Sequence, residues 1–128
     1  MWAPPTGRER LKRALAAVLL AAAGHGAAAT ECDAQPDRLA QVRCRGEIVV
    51  GTRSDYPPFG QGSGEQARGF EPDLARLLAA RLGVAPRFVA VSAADRIAAL
   101  GEGRVELIIA TTGHTVQRDG QALFVRPH

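Results

Sequence analysis

An α/β fold, with a parallel sheet wound in the order strand, helix, strand, helix, strand, is what this sequence of 128 residues predicts. Two observations carry the prediction. Runs rich in β-branched and aromatic residues at 48–52, 86–91 and 105–109 alternate with two segments patterned at helical spacing. Residues that start and stop helices bound those segments, and strand–helix alternation of this length belongs to doubly wound parallel sheets.

The first strand is Ile48, Val49, Val50, Gly51 and Thr52. A glycine-rich stretch at 60–69 follows it and reads as a turn or the tip of a β-hairpin. The first helix covers 71–83. Pro72 suits its first helical position, Glu71 and Asp73 place acids in its first turn, and Gly83 supplies the stop. Leu74, Leu77, Leu78 and Leu82 recur at helical spacing and are expected to form its buried face. After the strand at 86–91, Ser92, Ala93, Ala94 and Asp95 resemble a capping box that opens a second helix, 96–100. Gly101 and Gly103 end it before the strand at 105–109. A short helix is expected after Thr115, followed by Leu123, Phe124 and Val125.

Residues 1–29 read as a secretory signal rather than as fold. Arg8, Arg10, Lys12 and Arg13 form a basic region, 14–23 an apolar core too short to span a bilayer, and Ala27, Ala28 and Ala29 a cleavage site. Thr30 and Glu31 before Cys32 do not make a lipid-attachment motif. The signal holds four of the 16 basic residues and one of the 13 acidic ones, which leaves 12 of each in the remainder. The formal charge of +3 therefore belongs to the signal, and it gives no support to nucleic-acid binding. The expected location is the periplasm. Its oxidising conditions favour a disulfide between Cys32 and Cys44, the only two cysteines, inside an N-terminal extension at 30–45. Such a crosslink contributes up to ~3 kcal/mol through loop entropy. Free thiols are the alternative in a chain that never folds.

Two polar loops follow the first and third strands: Arg53, Ser54, Asp55, Tyr56, Pro57, Pro58, Phe59 and Thr111, Thr112, Gly113, His114, Thr115, Val116, Gln117, Arg118. If those strands are parallel neighbours, both loops leave the carboxyl edge of one sheet and face one crevice, the usual ligand position in such sheets. An aromatic ring, hydroxyls, backbone N–H groups and a guanidinium there suit a small anionic or zwitterionic ligand. Arg118 can match a carboxylate with two charge-assisted hydrogen bonds, or it can simply be a surface arginine starting a helix. Tyr56 and Phe59 can make a rigid turn packed on the core; Phe59 is expected to do so while Tyr56 faces the crevice. His114 and His128 lack partner ligands in sequence, so no metal site is expected. No Ser–His–Asp set or phosphate loop has the needed spacing, so neither an enzyme nor a cofactor is expected.

The order of motifs adds a resemblance. Gly46-Glu47-Ile48-Val49-Val50-Gly51-Thr52, Asp55-Tyr56-Pro57-Pro58-Phe59, Gly69-Phe70-Glu71-Pro72-Asp73-Leu74-Ala75, Arg81-Leu82-Gly83-Val84, Asp95-Arg96-Ile97, Leu100-Gly101-Glu102-Gly103-Arg104-Val105-Glu106-Leu107-Ile108-Ile109-Ala110, Thr115-Val116-Gln117-Arg118 and Phe124-Val125-Arg126-Pro127 occur in succession. Together they resemble the first lobe of family 3 extracellular solute-binding proteins, the periplasmic amino-acid receptors of ABC transporters. The resemblance covers 46–128 and implies the first lobe of a type II periplasmic-binding-protein fold. It implies capture of a small polar solute, an amino acid or related carboxylate, for delivery to a membrane permease. It maps the ligand-packing aromatic to Tyr56, the α-carboxylate clamp to Arg118, and N–H and hydroxyl donors to Ala110, Thr111 and Gly113.

Three departures bear on the ligand. Gly113 stands where the family usually carries Thr or Ser, so only its N–H remains. Arg53 stands where receptors for cationic amino acids often carry Asp; there it would repel a basic side chain and favour a neutral or acidic ligand, unless it points to solvent. The sequence also holds nothing matching the second lobe, the hinge or the returning segment, so a truncated fragment with weak binding is expected. The same architecture serves as receptor sensor domains, as the non-catalytic part of lytic transglycosylases and as periplasmic dehydratases, and these readings stay open.

Mass spectrometry of periplasmic material should find a mature chain beginning near Thr30. An intact Met1 would refute the export signal.

Overall fold

The computed structural model describes residues 31–125, so the expected signal at 1–29 lies outside the described residues. Backbone contacts divide the chain into two compact units at Gln41 and Val42. Helix α1 is Arg38–Arg45. Ahead of it Asp37 Oδ1 accepts the Ala40 N–H at 2.8 Å, which satisfies one of the donors that every helix start leaves over. This helix was not legible in sequence, because its exposed face is as polar as a loop.

The strands follow as β1 Glu47–Thr52, β2 Asp55–Tyr56, β3 Gly60–Gln61, β4 Ala85–Ala90 and β5 Leu107–Ile108. The helices of this unit are α2 Phe70–Leu82, α3 Arg96–Gly101 and α4 Val116–Asp119, with a 3-10 turn at Gly64–Gln66. The main sheet has the order β4-β1-β5. β1 runs parallel to β4 from Glu47↔Ala85 to Thr52↔Ala90, and parallel to β5 at Val50↔Leu107 and Gly51↔Ile108. The first and third predicted strands are therefore parallel neighbours, and the loops after both leave the same edge. β5 is shorter than the run at 105–109, yet the Glu106 N–H to Val49 O (2.9 Å) and Ile109 N–H to Gly51 O (3.0 Å) bonds continue the pairing on either side.

β1 is buried on both faces, as expected of a central strand in a parallel sheet. Ile48 and Val50 face one apolar cluster with Val42, Ala75, Ala79, Phe88 and Ile109. Val49 faces the other, with Val91, Ala99, Val105 and Ala110. The clusters take α2 residues on one side and an α3 residue on the other, the doubly wound arrangement read from the sequence.

Three local expectations need correction. α2 starts two residues before Pro72, at Phe70: Gly69 precedes it, with φ 118, and Gly83 closes it in the left-handed region. Its fully buried face is Glu71, Pro72, Ala75 and Ala79, while Leu77 is 68% and Leu78 38% exposed. Small residues let the helix lie close on the sheet, and the leucines flank that contact rather than make it. At α3 only half of the capping box forms. Ser92 Oγ accepts the Asp95 N–H at 3.1 Å, but the Asp95 carboxylate pairs with Arg104 at 2.6 Å instead of reaching back.

One side chain joins the sheet ladder. Glu106 Oε2 accepts the Val49 N–H at 3.0 Å, and Oε1 takes a hydrogen bond from the Arg45 guanidinium, with the Glu106 side chain 6% exposed. Removing a buried carboxylate that satisfies a strand N–H and a cation leaves both without it. Glu106→Ala should lower unfolding free energy by about 2–3 kcal/mol in urea titrations; a loss below half a kcal/mol would show that the pair is idle.

Candidate ligand-binding site

The aromatic loop is a hairpin. β2 and β3 pair antiparallel through Asp55↔Gln61 and Tyr56↔Gly60, and the Pro57–Pro58 peptide is cis. Two glycines permit its position. A Cβ on Gly60 would lie 2.2 Å from Arg53 O, and one on Gly69 would lie 2.7 Å from the carbonyl oxygens of Pro58 and Phe59. At that approach only hydrogen fits. The Phe70 and Glu71 N–H groups then donate to Pro58 O and Phe59 O, which ties the hairpin to the start of α2.

Tyr56 is 48% exposed and stacks on Phe59, with ring centroids 5.6 Å apart and planes 18° apart. Phe59, expected to anchor the turn in the core, is itself 40% exposed. The reason is the neighbouring ring: the two aromatics bury area against each other rather than against the sheet. On Tyr56 lies Arg53, its guanidinium carbon 5.0 Å from the ring centroid, a cation–π distance. Arg53 Nε also donates to Asp55 Oδ1 at 2.8 Å. That bond holds the exposed Asp55 carboxyl below the usual range and raises Arg53. Because the folded Asp55 value is depressed, its contribution is present above the ordinary carboxylate range and is lost as pH falls through the lowered value. The ion pair is therefore intact at neutral pH.

The second loop is gripped by its carbonyls. Arg118 Nη1 donates to Gly113 O at 2.7 Å. Arg96 Nη1 donates to Ala110 O at 2.6 Å and to Thr111 O at 3.2 Å, and Thr112 Oγ1 donates to Ala110 O at 3.3 Å. Meanwhile the N–H groups of Thr111 and Gly113 have no protein acceptor among the described residues. Thr111 sits at φ 46, in the left-handed region that a β-branched residue rarely adopts. Farther along, His114 pairs with Asp119, and its ring lies 5.0 Å from that of Phe124. They line a shallow cavity of about 640 Å³ with Gly120, Leu123 and Val125. No group of side chains suited to a metal occurs among the described residues.

Arg96 is the residue that sequence reasoning missed. In the sequence it is only the first residue of a short helix, yet it is 6% exposed and its Nε has no partner among the described residues. Burial lowers its pKa first, and the positive charges of Arg118 and Arg53 lower it further, with Glu71 opposing them. The field of three guanidiniums thus converges on this end of the sheet. The available signal was position: residue 96 opens the helix that leaves the same edge of the sheet as both loops. Thr52, the last residue of β1, is buried there too, and its Oγ1 lacks a partner among the described residues. Cys32 and Cys44 are both disulfide-bonded.

Thr111 should carry a measurable strain. Replacing it with Gly, which enters the left-handed region freely, should raise stability by about 1 kcal/mol in chemical denaturation. A Thr111→Gly protein of lower stability would mean that the hydroxyl or methyl makes up for the backbone.

Comparison with known proteins agrees with this architecture. Residues 48–128 match the model of bacterial extracellular solute-binding proteins, family 3. The L-cystine-binding protein TcyJ of Escherichia coli (strain K12) is 29% identical over 123 residues, spanning 95% of this chain and 44% of that protein. Membrane-bound lytic murein transglycosylase F of Maricaulis maris (strain MCS10) is 38% identical over 90 residues, 70% of this chain and 20% of that one. The chain therefore spans less than half the length of either relative. Among solved structures, the Phe57Trp mutant of the arginine-bound form of domain 1 from TmArgBP superposes with a TM-score of 0.64 at 30% identity, covering 70% of both chains. The fold is that of an isolated first domain of a periplasmic binding protein, and the chain belongs to the bacterial extracellular solute-binding proteins, family 3.

Proposed function

We propose that the crevice at the carboxyl edge of β1 and β5 binds the carboxylate of a small polar solute, an amino acid or a close relative. One observation carries this reading: the turn from Ala110 to Gly113 gives its carbonyls to two guanidiniums and, among the described residues, keeps the N–H groups of Thr111 and Gly113 unspent. Such a turn meets an anion with donors only. Arg118 uses one of its five N–H groups on Gly113, so the rest of the fork is available for a carboxylate. Tyr56 supplies a half-exposed ring against which an aliphatic portion can pack, and Arg53 beside it disfavours a cationic side chain.

The relatives support the ligand class, since one is described as binding L-cystine and another was solved with arginine. The process we propose is periplasmic capture for an ABC permease, by a binding protein rather than an enzyme. The sequence expectation that a first lobe binds weakly stands as part of this proposal. A ligand held on one side remains half solvated, and association costs on the order of 4–15 kcal/mol, which leaves millimolar affinity, about −4 kcal/mol. That TmArgBP domain 1 was solved in an arginine-bound form makes such a measurement realistic. A second reading, an accessory ligand-sensing domain, is favoured by the match to the transglycosylase.

Amide NMR titration with a panel of amino acids is the test. Shifts should concentrate at Tyr56, Thr111, Gly113 and Arg118. Arg118→Ala should abolish them, and Arg118→Lys should weaken binding by about tenfold or more, because a point charge cannot reproduce the fork. Unchanged affinity in Arg118→Ala would remove the clamp from the proposal.

A further inference from the structure

The positive charge at this edge exceeds what one amino-acid carboxylate needs. Arg96 and Arg118 both grip carbonyls of one turn, Ala110 to Gly113, and neither makes an ion pair among the described residues, whereas Arg53 is paired with Asp55. A single ligand carboxylate can answer only one of these two guanidiniums. A zwitterionic amino acid brings no net charge, so it leaves that excess in place. Arg96 is the buried member: it is 6% exposed and, among the described residues, makes no ion pair and bonds only to the carbonyls of Ala110 and Thr111. Buried cations without a carboxylate partner are rare, because desolvation is not offset by partial charges on carbonyls alone.

Arg96 also shapes the turn. Its Nη1 draws two successive carbonyls, Ala110 O and Thr111 O, toward one atom. The residue between the Ala110 and Thr112 peptides is the one at φ 46. An outlier of this kind persists only where surrounding contacts over-determine it.

We propose that Arg96 is a specificity-determining residue of this crevice: it holds the Ala110–Thr111 turn by two carbonyls, and its charge, without an ion-pair partner among the described residues, makes the crevice favour ligands that carry a second carboxylate. This rests on the carboxylate-binding reading above. It goes further by assigning the ligand class to acidic amino acids and dicarboxylates, and by giving the role to a buried residue that need not touch the ligand. Arg53 faces solvent on one side and already has Asp55, so it cannot supply the excess alone.

L-Glutamate and L-glutamine have the same shape and differ by one charge, so they isolate the effect. With the full chain followed by amide NMR, glutamate should bind at least about tenfold more tightly than glutamine. Arg96→Gln should reduce that ratio to near unity, while Arg96→Lys, which keeps the charge, should retain a preference for glutamate. Equal binding of the two ligands by the unaltered protein overturns the proposal without needing any variant to fold. So does an Arg96→Gln protein, folded by its amide spectrum, that keeps the full preference. If neither ligand moves the amides of Tyr56, Thr111 or Arg118, the carboxylate reading itself fails and takes this inference with it. A glutamate–glutamine ratio near one with clear shifts refutes only the inference.

Discussion

Everything at the candidate site depends on β1 being enclosed. It lies between β4 and β5, pairs in parallel with both and packs apolar residues on both faces, with Val50 fully buried. Burying a side chain of that size favours folding by ~1.5–3 kcal/mol, and a central parallel strand repeats the gain along its length. Because both neighbours run in its direction, the chain leaves all three strands at one end. Hydrophobic pairing thus chooses where the polar residues are delivered, before any of them interacts with anything.

What the polar residues do at that end is a division of labour between donors and acceptors. Guanidiniums occupy the carbonyl side of the turn after β5, and the aromatic hairpin after β1 is held by glycine close contacts and by N–H groups at the start of α2. Neither loop needs a deep core of its own. Each is fixed by backbone groups that would otherwise seek water. The cost is concentrated electrostatically, in like charges brought near one another and in one buried guanidinium.

The sequence made the sheet legible because strand identity is a local property of β-rich runs such as Ile48-Val49-Val50 and Val105-Glu106-Leu107-Ile108-Ile109. The neighbouring placement of the two loops followed from handedness rules rather than from any residue. Arg53, Tyr56 and Thr111 were legible as candidates because they lie in the loops that follow strands, and Arg118 because the family resemblance maps the carboxylate clamp onto it. Arg96 was not, since nothing local separates an arginine that will be buried from one that will be solvated; its role exists only once the turn at Ala110 folds over it. The exposure of Phe59 was equally hidden. Whether an aromatic packs inward or on a neighbouring ring is decided by tertiary space, and the local pattern Tyr-Pro-Pro-Phe permits both.

The small-residue face of α2 has one more consequence, for anyone who would alter this protein. Ala75 and Ala79 lie against the sheet, both fully buried, while Leu77 stands in solvent. The helix therefore separates two tasks that amphipathic helices usually combine, for its seat tolerates no added bulk and its outer surface contributes little to folding. Colloidal behaviour can be engineered on that outer surface, by exchanging exposed apolar groups for charged ones, without disturbing the contact that holds the helix in place.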